Sequence, residues 1–119
     1  VMVSEALPIL GASATMREAI VLLAERRGIC MVADGTHQLQ GVVTTGDLSR
    51  LMEKEQDIFP IPVARVMTKS PKTVQVDDLG SAAVHLMETH GIVALPVLDA
   101  SQTIVGVVHL HDLMRGGAV

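Results

Sequence analysis

Apolar residues in this chain fall into short runs, and the runs alternate between two spacings. From about Met16 to Arg26 the positions Met16, Ala19, Ile20 and Leu23 return every three or four residues, which predicts one buried face of a helix. Thr15 stands just before this run with Glu18 three residues on, the pattern of a capping box. The spacing recurs from about Leu79 to Thr89, at Leu79, Ala82, Ala83 and Leu86, with Asp78 as the expected cap. Gly28 and Gly91 follow the two helices as C-terminal caps. Other apolar runs are shorter and unbroken. Ile29 to Val32, Leu39 to Thr44, Val93 to Leu98 and Ile104 to His109 are predicted strands, turned by Asp34-Gly35 in the first pair and by Asp99-Ala100-Ser101 in the second. Extended segments at Ile9-Leu10 and at Thr73 to Val76 precede the helices, and a further helix is expected to open at Asp47 and at Asp112.

This order of elements is one plan used twice. A shift of 65 positions lays Gly41-Val42-Val43 on Gly106-Val107-Val108, Asp47-Leu48 on Asp112-Leu113, Arg50 on Arg115, and Val1-Met2 on Val66-Met67. Because Val1-Met2 matches the end of the segment PVARVM, the first copy lacks its opening turn, and the chain is expected to be a fragment of a longer one. The expected division is a first repeat over 1–54, a linker over 55–62 and a second repeat over 63–119. Pro60 and Pro62 make the linker a stiff extended connector, and Pro62 can start a short helix through Val66. A half of about 55–60 residues is marginal alone. The expected fold is therefore α/β (α+β), two β-α-β-β-α repeats packed sheet to sheet with pseudo-twofold symmetry.

Composition narrows the function. Apolar residues make up 49% of the chain, enough for a core, yet no run is long enough to span a membrane and no secretion signal is visible. The net charge is −4 and the only aromatic residue is Phe59, so the basic stripe and stacking platforms of nucleic-acid binders are missing. The lone Cys30 excludes an intrachain disulfide and a multi-cysteine zinc site, and its apolar run reads as a buried, inert thiol. No paired carboxylates, nucleophile–base constellation or phosphate-cradling glycine loop marks a catalytic site.

The stretches GICMVAD and GVVTTGDLSR, then VMTKSPKTV, GIVALPVLD and GVVHLHDLMRGG, resemble the tandem CBS domain pair, also called a Bateman module, over nearly the whole chain. The ending VVHLHDLMRGGAV and the segment TTGDLSRL are similar to the C-terminal part of the arabinose-5-phosphate isomerase (KpsF/GutQ) family, with departures at Thr45 and Ser49. That resemblance implies a regulatory, non-catalytic portion of a sugar-phosphate isomerase whose SIS domain lies elsewhere in the parent chain. It further implies a cytoplasmic protein of carbohydrate metabolism and lipopolysaccharide biosynthesis. Its partners would be a nucleotide or nucleotide-sugar and a second copy in a homodimer, with Leu51, Met52, Leu113 and Met114 as candidates for the dimer face. No cofactor or metal is expected. Candidate regulatory ligands are an adenine or cytidine nucleotide, or CMP-Kdo, the last from pathway logic. The alternative is a structural, dimerising module that binds nothing.

In nucleotide-binding CBS pairs the resemblance implies that Asp47 accepts ribose hydroxyls and Thr44 helps to hold a phosphate. The base would lie against Ile29, Cys30 and Met31, and in the second half against Ile92, Val93, Ala94, Leu95 and Pro96. Thr44-x-x-Asp47 is equally a capping box, and Arg50 and Arg115 stand at ion-pair spacing from Asp47 and Asp112. In the second copy His109 replaces the threonine and His111 replaces Gly46. On a strand, residues two apart point to the same face, so both imidazoles are expected to converge with Asp112 adjacent, a polar site that favours an acidic group as pH falls toward the histidine range. His37, His85 and His90 read as surface residues.

Overall fold

The computed structural model describes residues 2–78 and 80–115, and these form two compact units. The units are not the two repeats. One comprises Pro8–Pro71; the other joins residues 2–7 to residues 72–115.

In the first unit β1 (Ile9–Leu10) leads to α1 (Met16–Glu25), β2 (Ile29–Ala33), β3 (Leu39–Thr44), α2 (Thr45–Lys54), α3 (Val63–Val66) and β4 (Thr68–Lys69). Its sheet has the order β1-β2-β3-β4, with β1 parallel to β2 and the other pairs antiparallel. Every residue of β2 is buried, as a central strand covered on both faces requires. Met16, Ala19 and Leu23 of α1 pack with Cys30, Val32, Val43, Ile61 and Val63 to form the core. The expected cap of α1 is present: the Thr15 amide donates to Glu18 Oε2 at 2.9 Å. The helix closes at Glu25, and the Gly28 amide donates back to the Leu23 carbonyl at 2.8 Å, with Arg27 and Gly28 both at positive φ.

The second unit contains β5 (Val74–Gln75), α4 (Ser81–His90), β6 (Ala94–Leu98), β7 (Ile104–His109) and α5 (Leu110–Arg115). Its sheet runs β5-β6-β7, again one parallel pair followed by one antiparallel pair. Both units shift register at one place, between Val32 and Ala33 and between Val97 and Leu98, 65 positions apart. Ala83, Val84 and Met87 of α4 pack with Leu95, Val97, Val108 and Leu113.

Four expectations need correction. The second long helix does not start at Asp78: residues Val76–Asp78 make a 3-10 turn, α4 begins at Ser81, and its N-cap is Gly80 with no side-chain bond. Leu79 lies outside the described residues. The buried face of α4 is accordingly Ala83, Val84 and Met87 rather than one through Ala82, which is exposed. The helices expected at Asp47 and Asp112 begin at Thr45 and Leu110, since each follows its strand without a loop. Finally, the C-cap of the first helix is Arg26 and not Gly28, which lies two residues further on. The linker holds the start of the same helix. Its Ile61 and Phe59 carbonyls accept the Met16 and Arg17 amides at 2.8 and 3.2 Å, satisfying donors that a helix start leaves open. The Arg17 guanidinium also lies 4.6 Å from the Phe59 ring centroid.

The short β4 was not expected from the sequence, and it explains the paired glycines. Thr68 and Lys69 open the second repeat but pair with Val42 and Gly41 of the first. Val3, at the start of the first repeat, exchanges backbone bonds of 2.8 and 2.9 Å with Val107 of the second. A Cβ at Gly41 would stand 2.8 Å from both the Thr68 carbonyl oxygen and Met67 Sδ; one at Gly106 would stand 2.8 Å from the Val3 carbonyl oxygen and 2.7 Å from Met2 Sδ. Glycine is required where another backbone comes this close.

Gly41→Ala and Gly106→Ala are each expected to lower the unfolding free energy by about 1–3 kcal/mol, the usual cost of forced overpacking. Gly11→Ala, where an added Cβ meets nothing within 4 Å, should change it by less than about 0.5 kcal/mol. Urea denaturation of the three variants measures the difference.

Candidate functional site

The junction of β3 and α2 carries the Thr44–Asp47 pair, and its geometry follows from the absence of a loop. Thr44 is the last residue of the strand and the N-cap of the helix, at φ −118° and ψ 171°. Asp47 therefore falls at the third helical position, where a capping box places its acidic member. The Thr44 amide donates to Asp47 Oδ2 at 2.9 Å and the Thr44 hydroxyl donates to the same oxygen at 3.1 Å. The other oxygen, Oδ1, accepts from Arg50 Nη2 at 2.6 Å and from the Thr68 hydroxyl at 3.2 Å. Asp47 is only 8% exposed, so this carboxylate is buried with four donors around it.

Arg50 was expected from its i,i+3 spacing. Thr68 was not; it reaches Asp47 because β4 brings it alongside β3. The only sequence signal was the alignment of Val66-Met67, just before Thr68, with Val1-Met2.

The strand residues expected to back a ligand are well buried in the first unit. Ile29, Cys30 and Met31 are 1%, 0% and 0% exposed, so side-chain contact with a bound base is confined to the strand's ends or its backbone. Burial pushes the Cys30 thiol up to about 12, well above an ordinary thiol, which fits the inert reading. In the second unit Ala94, Leu95 and Pro96 are likewise buried, Ile92 is half-buried, and Val93 stands 68% exposed. Pro96 occupies the position of Met31. The Met31 amide donates to the Pro8 carbonyl at 2.7 Å, a bond that proline cannot make.

The two histidines lie on different elements. His109 ends β7 and is 6% exposed; the chain then turns into α5, leaving His111 exposed on a helix instead of two places along a strand. A histidine pair on one face needs the strand to continue, and it stops at His109. Asp112 is half-buried in the first turn of α5. Thr44 and His109 remain equivalent in register, opposite Ile29 and Ala94. Among the described residues, no group of three or more His, Cys, Asp or Glu side chains is placed to hold a metal ion. His37, His85 and His90 are exposed.

Two hollows lie in the first unit. One of about 300 Å3 runs along α2 to α3, past Asp47, Arg50, Leu51 and Lys54, which share a face at helical spacing, to Arg65. The other, about 570 Å3, is more apolar and is lined by Ile20, Leu48, Met52, Ile58 and Phe59. Of the expected dimer-face residues, Met52 and Met114 are exposed at 61% and 47%. Leu51 is half-buried, and Leu113, at 1% exposed, belongs to the core of its own unit. No helix among the described residues is long and apolar enough to cross a membrane.

The family model for the CBS domain matches residues 1–54 and again residues 63–118. The chain is 33% identical over 114 residues to the arabinose 5-phosphate isomerase KdsD of Yersinia pestis, covering 95% of this chain and 34% of that protein. It is 36% identical over 121 residues to the KdsD of Pseudomonas aeruginosa, covering 98% of this chain and 36% of that protein. The chain thus spans about a third of the length of these relatives. Among solved structures, the CBS-domain containing protein ATU1752 of Agrobacterium tumefaciens aligns with a TM-score of 0.82 at 18% identity, over 93% of this chain and 89% of that one. CBSX2 in complex with AMP aligns at 0.76 with 24% identity, over 98% and 91%. The CBS domain pair of MJ0100, in complex with 5′-methylthioadenosine and S-adenosyl-L-methionine, aligns at 0.81 with 21% identity, over 98% and 94%. At these identities the likeness shows the fold.

Asp47→Ala is expected to cost about 1–2 kcal/mol of stability through loss of the cap, whereas Arg50→Ala, at a side chain 65% exposed, should cost less than about 1 kcal/mol. Thermal or urea unfolding measures both. Cys30 is expected to resist a thiol-specific reagent near pH 8 while the protein is folded and to react fully once guanidinium unfolds it. Prompt labelling of the folded protein would contradict its burial.

Proposed function

Since the chain belongs to the CBS domain family and carries two copies in tandem, we propose that it is a regulatory, ligand-sensing module that binds a nucleotide or nucleotide-sugar through Thr44 and Asp47. The observation that carries the reading is the buried Asp47 carboxylate at the strand–helix junction, beside the hydroxyls of Thr44 and Thr68. A ribose diol offers the same donor chemistry as those two hydroxyls and can exchange for them on the carboxylate. Support comes from fold relatives solved with adenosine compounds, CBSX2 with AMP and MJ0100 with 5′-methylthioadenosine and S-adenosyl-L-methionine. In the second unit Val93, exposed at the mouth of β6, and His109 at the junction with α5 would contribute to a site of different preference.

The likeness to the KdsD isomerases supports a parent protein that is a cytoplasmic arabinose-5-phosphate isomerase, with the chemistry in a SIS domain and this module controlling it. CMP-Kdo, an activated sugar downstream of that reaction, is then the regulatory ligand to test first, beside adenine nucleotides. Control requires the ligand to prefer one state of the protein over another. A second reading is favoured by the apolar hollow that exposes Met52 and Phe59: a dimerising module with no ligand. The two are compatible to the extent that the sensing module is itself a homodimer.

Isothermal titration with AMP, ATP, CMP, CMP-Kdo and S-adenosylmethionine is expected to give saturable binding for at least one compound. Asp47→Ala should weaken it at least tenfold while the protein stays folded. Absence of binding at millimolar concentration, or unchanged affinity in the variant, leaves the dimerising reading. Sedimentation as a 12.6 kDa monomer at high micromolar concentration would count against the homodimer.

A further inference from the structure

The hollow between α2 and α3 has a charge pattern that the Thr44–Asp47 device does not account for. The chain has 9 lysines and arginines against 13 acidic residues, yet three of the nine, Arg50, Lys54 and Arg65, line this one hollow. Arg50 and Lys54 lie one turn apart on the face of α2 that starts at Asp47, and Arg65 comes from α3. Two carboxylates share the lining. Asp47 is paired with Arg50 at 2.6 Å, which leaves Lys54 and Arg65 facing the single carboxylate of Glu55. Neither Lys54 nor Arg65 forms a salt bridge among the described residues, and both are exposed.

Three cations against two carboxylates leave the lining with one positive charge in excess, so the hollow favours an anion. A volume of about 300 Å3 is at the small end of ligand sites, and too large for a halide alone. Two guanidinium groups and an ammonium supply more donors than a carboxylate accepts, and they match the three terminal oxygens of a phosphate group. Leu51 and Val66 give the hollow apolar lining on which the carbon body of a small ester can rest.

We infer that the α2–α3 hollow is a binding site for a phosphate group, free or carried as a small phosphate monoester, held by Lys54 and Arg65 with Arg50 beside them. The site lies on one face of α2 within the first unit and does not require that a nucleotide bind at Thr44 and Asp47.

The test is a titration of the 15N-labelled 119-residue chain with inorganic phosphate, against potassium chloride at equal ionic strength. Phosphate is expected to cause saturable shifts in the amides of residues 50–55 and 63–67 that chloride does not cause. Lys54→Gln combined with Arg65→Gln should weaken binding at least tenfold. Lys72→Gln, which removes one positive charge outside the hollow, should leave it within twofold. Glucose 6-phosphate distinguishes the two sources: tighter binding than inorganic phosphate identifies a monoester site, and equal binding a phosphate site. Adenosine has the ribose diol but no phosphate, so it reports on Asp47; it should leave the amides of residues 63–67 unmoved, and Asp47→Ala should abolish its binding while phosphate still shifts those amides. The inference is overturned if phosphate acts no differently from chloride, if the double variant binds as the parent does, or if Lys72→Gln weakens binding as much as the double variant.

Discussion

A carbonyl oxygen 2.8 Å from where a side chain would begin is the contact on which each unit depends. It sits at Gly41 in one unit and at Gly106 in the other. Because neither residue has a Cβ, β4 can lie against the middle of β3 and the Val3 backbone against β7, each with a methionine sulfur close to the glycine. The consequences run to the candidate site. Once Thr68 is paired with Val42, its hydroxyl is within reach of Asp47. The carboxylate is then surrounded by donors from three places in the chain: its own cap, the next turn of its own helix, and the incoming strand. Packing at a glycine thus settles the electrostatics of an aspartate six residues away.

Much of this was legible beforehand, for reasons that differ from element to element. Helix α1 could be read because its N-terminal cap and its apolar face agree, while its C-cap fell to Arg26 rather than the glycine. Strands β3 and β7 could be read to the residue, since unbroken apolar runs end at polar junctions. Helix α4 was misplaced because Asp78 is a good capping residue that the chain spends in a 3-10 turn, and a glycine takes the cap instead. Strand β4 was invisible because two residues carry no periodicity; its partner is chosen by tertiary contact. The capping box and the Arg50 pair were visible as spacings. The strand spacing from which His109 and His111 were read does not apply, because the chain changes from strand to helix after His109.

The duplicated device has diverged in chemistry while keeping its register. Thr44 caps a ten-residue helix with a hydroxyl and a carboxylate, whereas the equivalent His109 is a buried imidazole ahead of α5. Arg50 takes part in two environments at once, closing the Asp47 network on one side and facing the α2–α3 hollow on the other. The first unit therefore offers a carboxylate for hydroxyl donors and cations for an anion along a single helix face.

The crossing of strands also separates the unit of heredity from the unit of folding. What was duplicated is a stretch of sequence; what folds is one copy's sheet closed by the other copy's leading strand. A solitary copy would present an open backbone edge beside a bare glycine, a surface that invites pairing with another chain. A chain with one repeat would find its partner strand only in a neighbouring molecule. With two repeats in one chain that exchange takes place within a single molecule, and the glycine in each half marks where the other half's backbone is received.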